Sequence, residues 1–284
     1  MILVADSGSS KTDWMGNRPG DPVRFHTQGI NPYFLNAQDI YKIFSKKKDL
    51  GFNPDEVTEI YFFGAGCSSP DKHEVISNGL SLFFTNAFIC VEHDLLGSAY
   101  ATCGDKEGLT CILGTGSNIS YYDGNTVHKS KHGLGYVLGD EGAGTHMGKK
   151  LVTSYLYGKM PQELGVLFAE EYSITKESVI NRVYQNPYPN TYLASLSKFM
   201  TKHTDHPFIA QLIYDVFEEF VQTNIKDYAN YKTIDCHFVG SIAYYYRDTL
   251  IKVCEAHGVK PGKILQKPIE GIYNYILKKE GLLV

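Results

Sequence analysis

The stretch Asp6-Ser7-Gly8-Ser9-Ser10-Lys11-Thr12 follows the apolar run Met1-Ile2-Leu3-Val4-Ala5, and its reading decides the fold. The apolar run predicts a buried strand, and Gly8 with its small hydroxyl neighbours predicts a tight turn into a second strand. Such a turn presents backbone N–H groups and hydroxyls suited to phosphate oxygens, while Asp6 could hold a metal ion through water. An ordinary hairpin turn rich in Gly and Ser has the same composition, so one copy decides little.

The pattern recurs. Leu109 to Leu113 reads as a buried strand, Gly114-Thr115-Gly116-Ser117-Asn118 as a turn, and Ile119 to Tyr122 as the returning strand, with Thr126 to Lys129 coming back after Asp123-Gly124-Asn125. A third turn, Gly240-Ser241, follows the core strand Cys236 to Val239 and enters a helix over Ile242 to Ala256. Around the first copy, strands are expected at Lys11 to Met15, Val23 to Thr27, Val57 to Phe63 and Ala87 to Val91. Helices are expected at Ala37 to Lys48, from Pro70 to about Phe83 and from Leu95 to Thr102. From Pro161 to Tyr231 the chain reads as mostly helical, with 3.6-residue apolar spacing at Ile209, Leu212, Ile213, Val216 and Phe220. The result is a mixed α/β chain with a boundary near Cys103 to Gly108.

The 284 residues are 43% hydrophobic and 20% charged, enough for two cored domains or one large one. A net charge of -4 with scattered charges offers no basic surface for nucleic acid or anionic membranes. No apolar run approaches the roughly 20 residues of a membrane span. Asp6 interrupts any signal-peptide core, so a cytoplasmic protein is expected. The six cysteines, Cys67, Cys90, Cys103, Cys111, Cys236 and Cys254, include no C-x-x-C pair and read as buried reduced thiols.

Three such turns in this order resemble the actin-like ATPase superfamily of sugar kinases and Hsp70. The first matches its Asp-x-Gly phosphate loop through Asp6, Gly8, Ser9, Ser10, Lys11 and Thr12. The second matches Gly-Thr-Gly-Ser through Gly114, Thr115, Gly116 and Ser117, and the adenosine motif matches Gly240 and Ser241. Within it the chain is similar to N-acetylglucosamine kinases of the BadF/BadG/BcrA/BcrD group. Asn31 stands where that family places a sugar-binding Asn, Asp94 where it places the catalytic Asp, and Gly139-Asp140-Glu141-Gly142 where it has Gly-Asp-Glu-Gly. The family's animal members carry an aromatic residue where this chain has Leu134.

The resemblance implies two actin-like (ribonuclease H-like) α/β lobes with ATP and sugar in the cleft between them. Residues 1–106, completed by the C-terminal helix 268–284, would form one lobe and 107–267 the other. It implies an ATP- and magnesium-dependent kinase for a small amino sugar, with N-acetylglucosamine and its 6-hydroxyl expected. Glucosamine or a muramic-type sugar are the alternatives, as is an ATPase like the iron–sulfur activators of 2-hydroxyacyl-CoA dehydratases. No nucleic acid or membrane partner is expected, and a homodimer is compatible with the family.

By residue, Asp94 is the expected general base and Asp6 the metal ligand. Asn31, Gly66, Thr115, Gly133, Leu134 and Asp140 would face the sugar. The plain alternatives are a helix cap for Asp94 and Asp140 and a turn-former for Asn31 before Pro32. Glu92 and His93 receive no role, because neighbours on an extended chain point to opposite faces.

Overall fold

The computed structural model describes residues 1–8, 10–18, 20–47, 49–128 and 130–283. The chain divides into two compact units: Met1–Lys106 with Gly124–Val127 and Lys267–Val284, and Glu107–Asp123 with His128–Gln266. Among the described residues no helix is long and apolar enough to cross a membrane.

In the first unit, strands β1 (Ile2–Ser7), β2 (Lys11–Gly16), β3 (Val23–Gln28), β4 (Glu59–Gly64) and β5 (Phe88–His93) form one sheet in the order β3-β2-β1-β4-β5. The hairpin pairs β1–β2 and β2–β3 are antiparallel, whereas β1, β4 and β5 run parallel. Helices α1 (Ala37–Ser45), α2 (Pro70–Ser81) and α3 (Asp94–Thr102) connect or follow these strands, and the terminal helix Ile269–Lys279 joins them from the far end of the chain. Leu3 and Ala5, alternate residues of β1, enter a cluster with Trp14, Phe44, Phe62, Leu80 and Phe84, all essentially solvent-free. Burying side chains of this size contributes about 1.5–3 kcal/mol each. Helix α3 and the terminal helix pack so closely that a Cβ on Gly271 would sit 2.7 Å from Cβ of Ala101.

The register of the parallel strands sets up the functional end of the unit. Ser7 lies opposite Gly64, and Gly64 opposite His93, so three neighbouring strands end in one row. Residues after that row belong to loops at the carboxyl edge of the sheet, where open α/β sheets bind ligands.

The second unit repeats the plan with one strand fewer. Strands β6 (Gly108–Leu113), β7 (Ser117–Tyr122), β8 (Asp235–Val239) and β9 (Lys260–Leu265) take the order β7-β6-β8-β9, with the first pair antiparallel and the others parallel. A further strand expected over Thr126 to Lys129 does not form among the described residues; Lys129 lies outside them. The helices are α4 (Gly135–Leu138), α5 (Gly144–Leu156), α6 (Gln162–Tyr172), α7 (Lys176–Tyr184), α8 (Pro189–Lys202), α9 (Pro207–Phe220), α10 (Ser241–Tyr245) and α11 (Arg247–Ala256). The single helix expected over Ile242 to Ala256 breaks at Tyr246. That side chain is buried, with its hydroxyl donating to the Ser197 carbonyl at 2.9 Å and paired with Thr201 at 2.7 Å. Pro261 is tolerated in β9 because the strand is an edge.

Candidate active site

On the first unit, Asp6 and Asp13 face each other directly across the β1–β2 hairpin. Like charges in that position destabilise a sheet unless cations offset them. Two lysines do so: Lys11 Nζ lies 2.6 Å from Asp13 Oδ1 and Lys267 Nζ 3.3 Å from its Oδ2. The Asp6 carboxyl is still pushed up to about 7, by burial first and then by the Asp94 and Asp13 charges, with Lys267 opposing. Asp13 was legible in principle, since Lys11 and Asp13 alternate on one strand face; Lys267 arrives from the other end of the chain and had no local signal.

The turn itself departs from expectation at two positions. The Gly8 N–H donates to the Lys11 carbonyl at 3.0 Å, so it closes the turn and does not face outward. Thr12 is fully buried, its hydroxyl 2.7 Å from that of Ser7 and donating to the Gln28 carbonyl at 3.2 Å; it braces the hairpin from inside. Gly8, Ser10 and Lys11 are exposed, and Ser9 lies outside the described residues.

Asn31 and Gly66 come together. Gly66 has φ +82°, and a Cβ there would lie 2.8 Å from Asn31 Oδ1 and 3.0 Å from the Tyr33 ring. Asn31 Oδ1 also accepts the Tyr33 N–H at 2.9 Å, so the turn-forming role is real, while among the described residues no acceptor takes its amide N–H groups.

Asp94 does not cap its helix. His93 is the cap, with Nδ1 accepting the Leu95 N–H at 3.2 Å, and Asp94 is the first helical residue. A carboxylate there is favoured by the helix dipole. Its Oδ1 lies 2.7 Å from His93 Nδ1, correcting the expectation that the two side chains diverge: the strand ends at His93, and two-residue alternation ends with it. Burial disfavours the charged ring, but the Asp94 and Glu92 charges outweigh it and hold the His93 pKa above its ordinary value.

On the second unit, the β6–β7 turn is bracketed from one side by Asp140. This residue adopts φ +64° and is almost fully buried, accepting the Ser117 N–H on Oδ1 at 3.1 Å and the Thr145 hydroxyl on Oδ2 at 3.3 Å. A Cβ on Gly116 would lie 2.9 Å from that carboxylate. Asp140 therefore ties the loop to the start of α5, which also donates Gly144 N–H to the Gly114 carbonyl and Thr145 N–H to the Thr115 carbonyl. Its side chain points inward to this loop, and the Ser117 amide is spent on it. No hydrogen bond from the amides of Thr115 or Gly116 is present among the described residues.

Gly240 presses on the same loop from the other side. With φ +121° and ψ 164°, it brings β8 so close that a Cβ would lie 2.3 Å from the Leu113 carbonyl oxygen and 3.2 Å from Gly114 N. Ser241 is exposed beside it. Gly133, at φ +80°, rests against the Asn118 amide, and Leu134 is exposed.

Among the described residues no group of three or more His, Cys, Asp or Glu is arranged to hold a metal ion. Magnesium needs fewer protein ligands, because it keeps waters and uses one or two carboxylates with substrate phosphates. Asp6 and Asp13, paired across the hairpin and with burial and neighbouring carboxylates holding a proton on Asp6 near neutrality, fit that demand.

Two sheets that each open on a hairpin loop, with a glycine turn clamped against the second loop, define a protein of the actin-like fold. The whole chain aligns with a solved structure from Porphyromonas gingivalis described as a "putative N-acetylglucosamine kinase", at 38% identity and a TM-score of 0.93, covering 99% of this chain and 100% of that one. A protein of the same description from Chromobacterium violaceum matches at 15% identity and TM-score 0.71, over 97% of this chain and 98% of that one. A "putative N-acetylmannosamine kinase" from Listeria monocytogenes matches at 14% and 0.51, over 98% and 99%. The last two share the fold alone. No family model and no curated protein matches the chain. The chain belongs to the N-acetylglucosamine kinase family of actin-like sugar kinases, and is an ATP-dependent phosphotransferase of that class.

Proposed function

We propose that the protein transfers the γ-phosphoryl group of ATP to an amino sugar, with N-acetylglucosamine as acceptor and its 6-hydroxyl as nucleophile. The observation that carries this reading is the row of strand ends on the first unit. Asp6, the Asn31–Gly66 pair and Asp94 all emerge at one sheet edge, from or beside three parallel strands in register. Phosphoryl transfer asks for positioning and charge stabilisation, which this edge supplies.

Asn31 offers amide donors to a vicinal diol, and Gly66 keeps that amide reachable. Asp94 orients the attacking hydroxyl and accepts its proton as the bond to phosphorus forms. Lys11 adds a point charge for phosphate oxygens, its own side chain being solvent-exposed although it now pairs with the half-buried Asp13. Thr115, Gly116 and the Gly240-Ser241 turn are assigned to the nucleotide on the second unit. Asp6, with Asp13 beside it, would hold hydrated magnesium, which when bound neutralises charge on the transferring phosphate.

An iron–sulfur ATPase is less well supported. Cys67 and Cys103 are both buried, and burial with the Asp94 and Glu92 charges pushes the Cys67 thiol up to about 12, away from the thiolate that a cluster requires.

A coupled ADP-release assay against a panel of amino sugars tests the proposal, with the phosphorylated position read by NMR. Turnover stimulated by N-acetylglucosamine and a 6-phosphate product is expected. No stimulation by any amino sugar would overturn it.

A further inference from the structure

His93 and Asp94 form a contact for which neither the fold nor the helix cap has a use. Asp94 Oδ1 is withdrawn from solvent, accepts no aligned hydrogen bond, and sits 2.7 Å from His93 Nδ1. The same nitrogen faces the Leu95 N–H at 3.2 Å. A ring nitrogen carries either a lone pair or a proton, not both. With a lone pair it could accept from Leu95, but a carboxylate oxygen would then face it at contact distance with nothing between them. With a proton it faces Oδ1 at 2.7 Å, the length of a charge-assisted N–H···O bond, which a turn of the ring would align. The Leu95 amide is the more dispensable partner, being longer and among the first-turn amides that lack an intrahelical acceptor.

We propose that His93 carries its proton on Nδ1 and holds the Asp94 carboxylate by Oδ1, acting as the positioning residue that leaves Oδ2 to the acceptor hydroxyl. The inference rests on the reading of Asp94 as the general base. In the step it serves, the hydroxyl O–H bond breaks and its proton goes to Oδ2. The electron pair left on the sugar oxygen forms the new bond to phosphorus, and the β–γ bridging bond breaks with its pair leaving on ADP. The Nδ1 proton stays in place throughout, and Asp94 returns its proton to water after product departs. The nearby Asp94 and Glu92 charges favour a protonated ring, which supports this assignment.

Holding one carboxylate oxygen matters because the other must meet the hydroxyl in one geometry. A misplacement of about 1 Å costs on the order of 10²-fold in rate. A cap alone would matter only for stability, so the two roles separate by substitution. Asp is a strong N-cap that can accept the Leu95 N–H, but it offers no donor and sets a like charge against Asp94. Asn caps as well and also brings amide N–H donors.

The test is ADP release by the full chain with N-acetylglucosamine and magnesium-ATP, with thermal unfolding alongside. For H93D we expect folding preserved, kcat lowered about 10–100-fold, and KM for sugar and ATP within about threefold, as loss of one hydrogen bond to a charged group implies. For H93N we expect kcat restored to within about fivefold of the wild type. Equal kcat in H93D and H93N, or wild-type kcat in H93D, would overturn the assignment. D94N, expected to lose about 10²–10⁴-fold, separates the two readings. If D94N turns over normally the base is elsewhere, whereas an inactive D94N beside an unaffected H93D removes His93 alone.

Discussion

Replacing Gly240 by alanine perturbs the second phosphate loop without touching any side chain in it. The native φ of +121° with ψ 164° is a conformation that L residues rarely adopt, and forcing alanine into it costs about 1–3 kcal/mol. The new methyl would also meet the Leu113 carbonyl oxygen at 2.3 Å and its carbon at 2.7 Å, whereas ordinary contact begins near 3.4 Å. Relief requires β8 and the start of α10 to withdraw about 1 Å from the end of β6, which weakens the Gly240 N–H bond to the Leu265 carbonyl, now 2.8 Å. With about 1–3 kcal/mol for the overpacking, the sum is about 2–6 kcal/mol out of a domain stability of about 5–15. Urea unfolding followed by circular dichroism should show this loss. Hydrogen exchange should show faster exchange at the bonded amides of Gly114 and Ser117, and the KM for ATP should rise about tenfold or more. Gly8→Ala is the stability control, since a Cβ there meets only the Lys11 carbonyl, at 3.8 Å. If G240A unfolds with the wild type and its Gly114 and Ser117 amides exchange at the wild-type rate, this glycine does not clamp the loop.

Gly66→Ala should raise the KM for the sugar about tenfold while leaving that for ATP within about twofold, because the methyl displaces Asn31 Oδ1; steady-state ADP release reads both. Asp6 has a folded pKa of about 7, above its unfolded value of 3.8, so its contribution to stability falls as pH rises from about 4 to 7 and is flat above. Magnesium should therefore raise the melting temperature more at pH 8 than at pH 6, and D6N should abolish the difference. His146 is held below its ordinary pKa, by burial first, so its contribution is present above pH 6.5 and is lost as pH falls below that value. In H146Q the slope of stability between pH 6.5 and 5 should flatten in pH-dependent urea unfolding.

Local pattern carried the hairpins that open the two sheets and the Gly240 turn. The candidate site was legible wherever a residue acts through its backbone position. Glycine reads as a turn, but only the fold tells a glycine that must be there, such as Gly240, from one that need not, such as Gly8. Side-chain direction was the harder part. Thr12 and Asp140 point inward because their partners, Gln28 and Ser117, lie 16 and 23 residues away and reach them only through the fold. His93 was misread because strand geometry was extended one residue too far; a helix that starts at Asp94 turns that side chain back onto its neighbour. Lys267 reaches Asp13 across most of the chain, and no window of sequence contains both.

The terminal helix that completes the first unit has a consequence for biosynthesis. Met1–Lys106 leaves the ribosome first, but Lys267–Val284 follows only after Glu107–Gln266 has been made. At about 5–20 residues per second that interval is on the order of ten to thirty seconds. During it the surfaces of Gly97 and Ala101 that receive Ile272 and Gly271 stand open. A nascent chain so arranged needs either a chaperone's cover or an unfinished first unit that tolerates waiting, and a stop codon near its end would leave that unit permanently in the waiting state.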